Sequence, residues 1–537
     1  MDVASGWSAS FRVLIGNRVS YEAARSAEPP GAERLVSRWW AEAVKRGACF
    51  GTPWDPGVQP PDFCTKMNYY RVMSLPIRIF NTLSRSVEEF KPLEPGIVKV
   101  YCCGPTVYHF AHVGNFRAYL FEDLLVRTLR AVGYTVEHVM NTTDVGHLVG
   151  DADEGEDKML VAMRREGKSS ADIAQFYTDA FFRDAALLNI TRPSIVCPAT
   201  EHISDMIEMI KALEARGFTY QAEGNVYFNI DAFPHYSRLA LLQLDRLEAG
   251  ARVGVDSHKK NPHDFVLWFT RSKFEGQELV WDSPWGRGYP GWHIECSAMA
   301  RKYLGDRFDI HCGGVDHIPV HHSNEIAQSD CACGHQCVNY WMHCEFLVNE
   351  KNEKIAKSSG GFTTVSDIVQ QGLDPMALRF LCLGTSYRKQ LAFSWDLLRS
   401  AHDTLTKLKR AVLALGTIAI ESPATKELQS AFLAELGNDL NSSRGVALVW
   451  ETLGSRSLSP AEKRAALLSF DEVLGLGIGS WREESVEVPD VVQGLLSQRA
   501  AARAAKQWSE SDALRESIKS HGFVVEDKGG EQILRKL

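Results

Sequence analysis

IVKVYCCG (residues 97–104), HVGNFRAYLFEDLLVRTLRAVGY (112–134) and TVEHVMNTTD (135–144) read in order as strand, helix and strand. The first segment alternates and is β-branched, as a pleated strand requires. In the second, Phe116, Leu120, Leu124 and Leu125 recur at helical spacing, and Gly133 supplies a C-terminal stop. A strand–helix–strand unit of this kind predicts an α/β fold. Its parallel, doubly wound sheet would place a site at the strand ends, because the connecting loops converge there.

Working outward, the rhythm breaks over 193–290, where short strands (NVYFNI, DFVLWFT) alternate with polar turns, and it resumes with FDIHCGG near 308. This predicts a Rossmann-like catalytic domain split into 73–192 and 291–345 by a connective insertion at 193–290. A Lys/Ser/Gly loop and linker occupy 346–395. Amphipathic segments such as WDLLRSAHDTLTKLKRAVLALG predict a helical bundle over 396–485, and a small C-terminal unit spans 491–537. Residues 1–72 carry Pro/Gly turn clusters and are expected to be a poorly ordered extension.

At 537 residues the chain is too long for one core, and several domains are expected. The net charge of -8 advertises no basic nucleic-acid-binding field, although a basic face on an acidic protein remains compatible with one. The twelve cysteines form no secreted framework, and no apolar run is long enough to span a membrane. A soluble cytoplasmic protein is expected.

Three constellations carry chemistry. His112-Val113-Gly114-Asn115 stands where a turn becomes a helix, a place whose free amides and dipole suit a polyphosphate. Lys354 and Lys357 in KIAKSSGG can set two ammonium groups against the same polyphosphate. His321 and Glu325 lie four apart, on one helical face, and could be joined at a zinc ion by Cys103 and Cys296 from two other segments. Taken singly, each has a plainer reading: a helix cap, a solvated loop, a small buried thiol. Cys331, Cys333 and Cys337 also have metal-like density but lack paired CxxC spacing.

In this order, HVGN and KIAKS resemble the paired HIGH and KMSKS signatures of class I aminoacyl-tRNA synthetases. CGPTVY, GWHIECSAMA, HCGGVD followed by HHSNEIAQSD, and KIAKSSG resemble the ordered motif set of cysteinyl-tRNA synthetases, from about residue 74 to the C-terminus. The resemblance implies a cysteine–tRNA ligase that activates L-cysteine with ATP and transfers it to tRNA(Cys). It implies one Zn2+ per chain on Cys103, Cys296, His321 and Glu325, and Mg2+ carried by ATP. His112, Lys354 and Lys357 would be catalytic; His112, Asn115, Gly314, Asp316 and Lys357 would bind ATP; Thr106 and Trp292 would meet the substrate. It further implies a monomer. The helices after Pro375 and the last unit resemble tRNA-stem and anticodon-binding regions, where Arg499, Arg503, Lys506 and Trp508 offer cations and a stacking ring. The chain departs from the family pattern at Asn115, Ala356, Ser323 and Ile533-Leu534-Arg535. Two rivals share these motifs: a ligase joining activated cysteine to a sugar-linked amine, whose known examples lack the terminal unit, and a zinc protein that binds RNA without catalysis.

Overall fold

The computed structural model describes residues 75–145, 158–240, 258–271, 279–349, 353–354, 362–482, 488–528 and 531–536. The extension 1–72 and Lys357 therefore lie outside the described residues.

Strand β1, Ile97–Cys102, forms where the alternating segment was expected. Its pleat sends Val98, Val100 and Cys102 into one core and Tyr101, with Cys103 just beyond, into another. Helix α1, Val113–Ala131, follows. It starts at a capping box in which the His112 ring accepts the Asn115 amide while the Asn115 side chain accepts the His112 amide. Strand β2, Thr135–Thr142, returns parallel to β1.

Strand β3, Ile195–Pro198, pairs in parallel with β2, so the central sheet runs past residue 192. It is a four-residue edge strand ending in proline, too short to give an apolar run, which is why the sequence places it with the insertion. The antiparallel sheet within the insertion consists of Thr219–Ala222, Asn225–Phe228, Phe265–Phe269 and Tyr289–Pro290.

After it come helix α2, Trp292–Leu304, strand β4, Phe308–Gly314, helix α3, Ser323–Cys333, and strand β5, Val338–Cys344. The strand order is β5-β4-β1-β2-β3, all parallel. Progress along the sheet reverses between β1 and β4, and the two connections leave a crevice at their carboxyl ends. Both faces are covered. Helix α1 and the helices after 375 pack on the side of Val98, Val100 and Cys102; α2, α3 and the helix Ile203–Ala215 pack on the side of Tyr101 and Cys103.

Gly104 makes the turn out of β1 possible. A Cβ there would stand 1.6 Å from the Asn141 carbonyl oxygen of β2, so no other residue passes. Beyond the sheet, the helices Trp395–Leu413, Pro423–Leu436, Ser442–Gly454 and Pro460–Leu474 form the expected helical region. Ser394, Ser422, Asn441 and Ser459 cap their first turns. No helix among the described residues is long and apolar enough to cross a membrane.

The last unit contains Asp490–Ala504, Trp508–Ser520 and the hairpin Phe523–Lys528 with Glu531–Lys536. Arg499 is not on a solvated face. It is fully buried and grips Asp527 with two hydrogen bonds of 2.9 and 2.8 Å. Arg503 and Arg515 approach the same carboxylate at 3.0 and 3.5 Å. Trp508 remains 57% exposed, with the Arg503 guanidinium 5.9 Å from its ring centre. Arg499→Met should expose the hairpin and its two helices to protease at least ~10-fold faster, leaving the sheet domain uncut. Uniform cleavage throughout the chain would show that the pair does not hold this unit specifically.

Candidate active site and metal centre

Four side chains from three separate segments meet where β1 and β4 end. Cys103 follows β1, Cys296 sits in the second turn of α2, and Glu325 lies in the first turn of α3. His321 belongs to a wide helical turn, Ile318–His322, that runs directly into α3. All four are buried, and their ligand atoms lie within 4.8 Å of one another. The Cys103 and Cys296 sulfurs are 3.9 Å apart. That is far beyond the ~2.05 Å of a disulfide. It matches the ~3.8 Å edge of a tetrahedron whose two thiolates stand ~2.3 Å from zinc. His321 Nε2 lies 3.0 Å from Glu325 Oε1 but makes no aligned hydrogen bond, as expected of two donors turned toward a common cation. The residues fit a zinc ion.

A second group, Cys103, His311, His322 and Glu325, is almost as compact. Its His322 keeps Nε2 3.4 Å from the Cys103 sulfur, but its His311 has other work. His311 Nε2 holds the second Glu325 oxygen at 2.8 Å. His322 Nδ1 meets His343 Nε2 at 2.7 Å, and His343 Nδ1 meets the Thr82 hydroxyl at 2.8 Å. The first group also offers two sulfurs rather than one, which suits zinc better. Behind it, His293 Nδ1 stands 2.8 Å from His321 Nδ1. Such outer partners fix the tautomer and direction of the inner donors. Gly313 leaves the space they need, since a Cβ there would come within 2.7 Å of His317 and His322.

The charges are arranged accordingly. Burial opposes ionisation of Glu325, yet His311 and His321 hold its carboxyl well below the usual range. Burial likewise opposes protonation of His321, but Glu325 and Cys296 lift it to about 10. A hydrogen bond from Cys103 draws the Cys296 thiol down to about 7, while burial pushes Cys103 up.

The expected phosphate residues come together in part. Lys354 Nζ pairs with Asp316 at 2.8 Å, just past Gly314 at the end of β4. The segment after the lysine loop returns to the start of α1: the Val113 amide donates to the Thr363 carbonyl at 2.9 Å, and His112 bridges to Thr364. Both described flanks of the KIAKSSGG loop thus border the crevice, one beside Asp316 and one beside His112. Because His112 Nδ1 accepts the Asn115 amide at 3.2 Å, the proton of the neutral ring sits on Nε2. The Asn115 carboxamide is a partner in the cap, an assignment that its sequence position did not disclose. The Trp292 ring lies against His321, 4.3 Å between centres, and Thr106 bridges to Thr143 of the neighbouring strand end. Among the described residues, Cys331, Cys333 and Cys337 join no metal-ligating group.

Residues 89–403 match the family of tRNA synthetases class I (C) catalytic domain, and residues 485–535 match the Cysteinyl-tRNA ligase anticodon binding domain. The chain belongs to the cysteine–tRNA ligase family. Cysteine--tRNA ligase of Treponema denticola is 45% identical over 491 residues, spanning 86% of this chain and 100% of that relative. Cysteine--tRNA ligase 1 of Burkholderia lata is 46% identical over 453 residues, spanning 84% and 95%. Among solved structures, the ternary complex of Agrobacterium radiobacter K84 LeuRS with tRNA and LeuAMS superposes with a TM-score of 0.50. It is 12% identical and covers 77% of this chain and 86% of that one. This likeness extends to the fold, that of a class I synthetase. The chain is an enzyme of this family, a class I aminoacyl-tRNA synthetase.

What the sequence did not single out in this synthetase is the outer ring of Thr82, His293, His311, His322 and His343. Three of them, His293, His311 and His322, lie inside the motifs that carried the resemblance. Nothing in their spacing distinguishes a ligand from its support.

Metal uptake would displace protons from Cys103 and His321 and, near pH 7, about half a proton from Cys296, so zinc binding should release roughly two to three protons and weaken as pH falls. Calorimetry in buffers of different ionisation enthalpy measures this; no proton release would mean that the ligands are already deprotonated. If the four residues hold zinc, Cys296→Ala should lower its content at least ~10-fold below that of the unaltered chain. His343→Ala should retain it with ~10-fold weaker affinity. Equal losses in both variants would erase the distinction between inner and outer shell.

Proposed function

We propose that this synthetase selects cysteine through a zinc ion held by Cys103, Cys296, His321 and Glu325, and activates it with ATP bound across the crevice. The observation that carries this reading is the position of two thiols, an imidazole and a carboxylate, at metal-binding distances, at the point where the sheet reverses. A zinc ion there supplies a Lewis acid that favours a thiolate over an alcohol, which separates cysteine from serine without an editing step.

The remaining work falls to side chains. Trp292, resting on His321, walls the amino-acid pocket and helps to exclude water. Thr106, at the adjoining strand end, borders the same pocket. Gly314 and Asp316 border the nucleotide at the end of β4. His112 would turn its Nε2–H to a phosphoryl oxygen, and α1 adds the positive end of its dipole. Lys354 and, from the loop outside the described residues, Lys357 would answer the charge of the polyphosphate, which brings its own Mg2+.

The substrate carboxylate attacks the α-phosphorus; the bond to the bridging oxygen breaks, and pyrophosphate leaves with that electron pair. A hydroxyl of the terminal ribose of tRNA(Cys) then attacks the carbonyl carbon, and AMP departs. Placement and charge stabilisation account for most of the rate, and no protein base is required. The matching anticodon-binding unit favours tRNA over a sugar-linked amine as acceptor.

Lys357→Ala and Lys354→Ala should each slow cysteine-dependent ATP–pyrophosphate exchange ~100- to 1000-fold at unchanged zinc content. Metal lost together with activity would assign the lysines to structure. Wild-type exchange with serine should fall at least ~10,000-fold below that with cysteine. Comparable rates would remove the role given to the sulfur–metal contact.

A further inference from the structure

On the opposite face of the sheet from the metal centre, a cavity of about 30 Å³ lies between α1 and the helices after 375. By the same measure one water needs roughly 10–15 Å³. Arg117, Cys344, Arg379, Cys382, Thr385 and Ser442 are among the residues that line it.

Arg117 is 4% exposed. One of its terminal nitrogens, Nη2, donates to the Lys389 carbonyl, but Nε and Nη1 are buried without a hydrogen-bond partner. No carboxylate pairs with it among the described residues. Arg379, also buried, is answered by Asp123 Oδ2 at 2.6 Å, and the same carboxylate oxygen takes Arg127 at 2.7 Å. Arg379 thus has Asp123 and, close by, Asp471, whereas Arg117 meets the cavity with no carboxylate paired to it among the described residues. A buried, unpaired cation is strongly unfavourable. Water can satisfy its N–H groups but not its charge. A carboxylate-bearing metabolite is too large for the space, whereas a monoatomic anion fits.

We infer that this cavity binds a small monovalent anion of the chloride class, held by the free N–H groups of Arg117 with hydroxyl donors from Thr385 and Ser442. Burial holds the Cys344 and Cys382 thiols at about 12 and about 11 against the opposing pull of the nearby Arg117 guanidinium, so they remain neutral and do not supply the missing charge. Because Arg117 belongs to α1 and Ser442 opens the helix Ser442–Gly454, the anion joins the nucleotide-binding sheet to the helical region.

The test uses the full zinc-loaded chain. Crystals soaked in bromide should show an anomalous peak within about 3.5 Å of Arg117 Nε or Nη1. In thermal melts at constant ionic strength, replacing gluconate by chloride should raise the midpoint by ~2 °C, saturably. Arg117→Met should abolish that rise. If this variant does not fold, Ser442→Val should weaken the apparent chloride affinity at least tenfold. The inference is overturned by bromide-soaked crystals with no anomalous density in the cavity. It is equally overturned by a chloride response that persists in Arg117→Met or is unchanged in Ser442→Val.

Discussion

A carboxylate sealed among imidazoles and thiols has to have its charge answered, and much of this fold serves to answer it at Glu325. Helix α3 delivers the carboxylate, and β4 delivers His311 to hold its outer oxygen. The wide turn before α3 sets His321 against its inner one. Cys103 and Cys296 close the remaining sides from β1 and α2. These contributions converge only because the parallel strands end together and the order of the sheet reverses between β1 and β4. Sheet topology and metal chemistry are thus one requirement seen at two scales.

How far the sequence discloses this depends on how local each signal is. The strand–helix–strand unit at 97–144 is legible from periodicity, since each element is bounded by its own stop. The inner donors are legible because their residue types are rare and ordered along motifs. The outer imidazoles escape, since support for a ligand is a property of three-dimensional neighbours. Edge strand β3 escapes for a simpler reason: four residues ending in Pro198 carry no periodic signal. Arg499 shows the opposite failure. On a helix rich in Ala and Arg it reads as a surface cation, yet the hairpin that follows folds over it and supplies Asp527.

Asn115 illustrates how one residue can satisfy two readings. The motif resemblance implies a place for it beside ATP, and the structure shows it completing the first turn of α1. These roles are compatible, because a capped helix start is what holds His112 in one tautomer and directs its Nε2–H. The bland reading, a cap, is then part of how the site is prepared.

The end of β1 contains a quieter constraint. With thiols at both 102 and 103, sliding the strand by one position would still present a sulfur to the metal side, so composition alone leaves its frame degenerate. Gly104 removes that degeneracy. In the slipped frame a cysteine would occupy the place beside the Asn141 carbonyl where a Cβ finds only 1.6 Å. A residue without a side chain thereby decides which of two neighbouring sulfurs faces Cys296, His321 and Glu325.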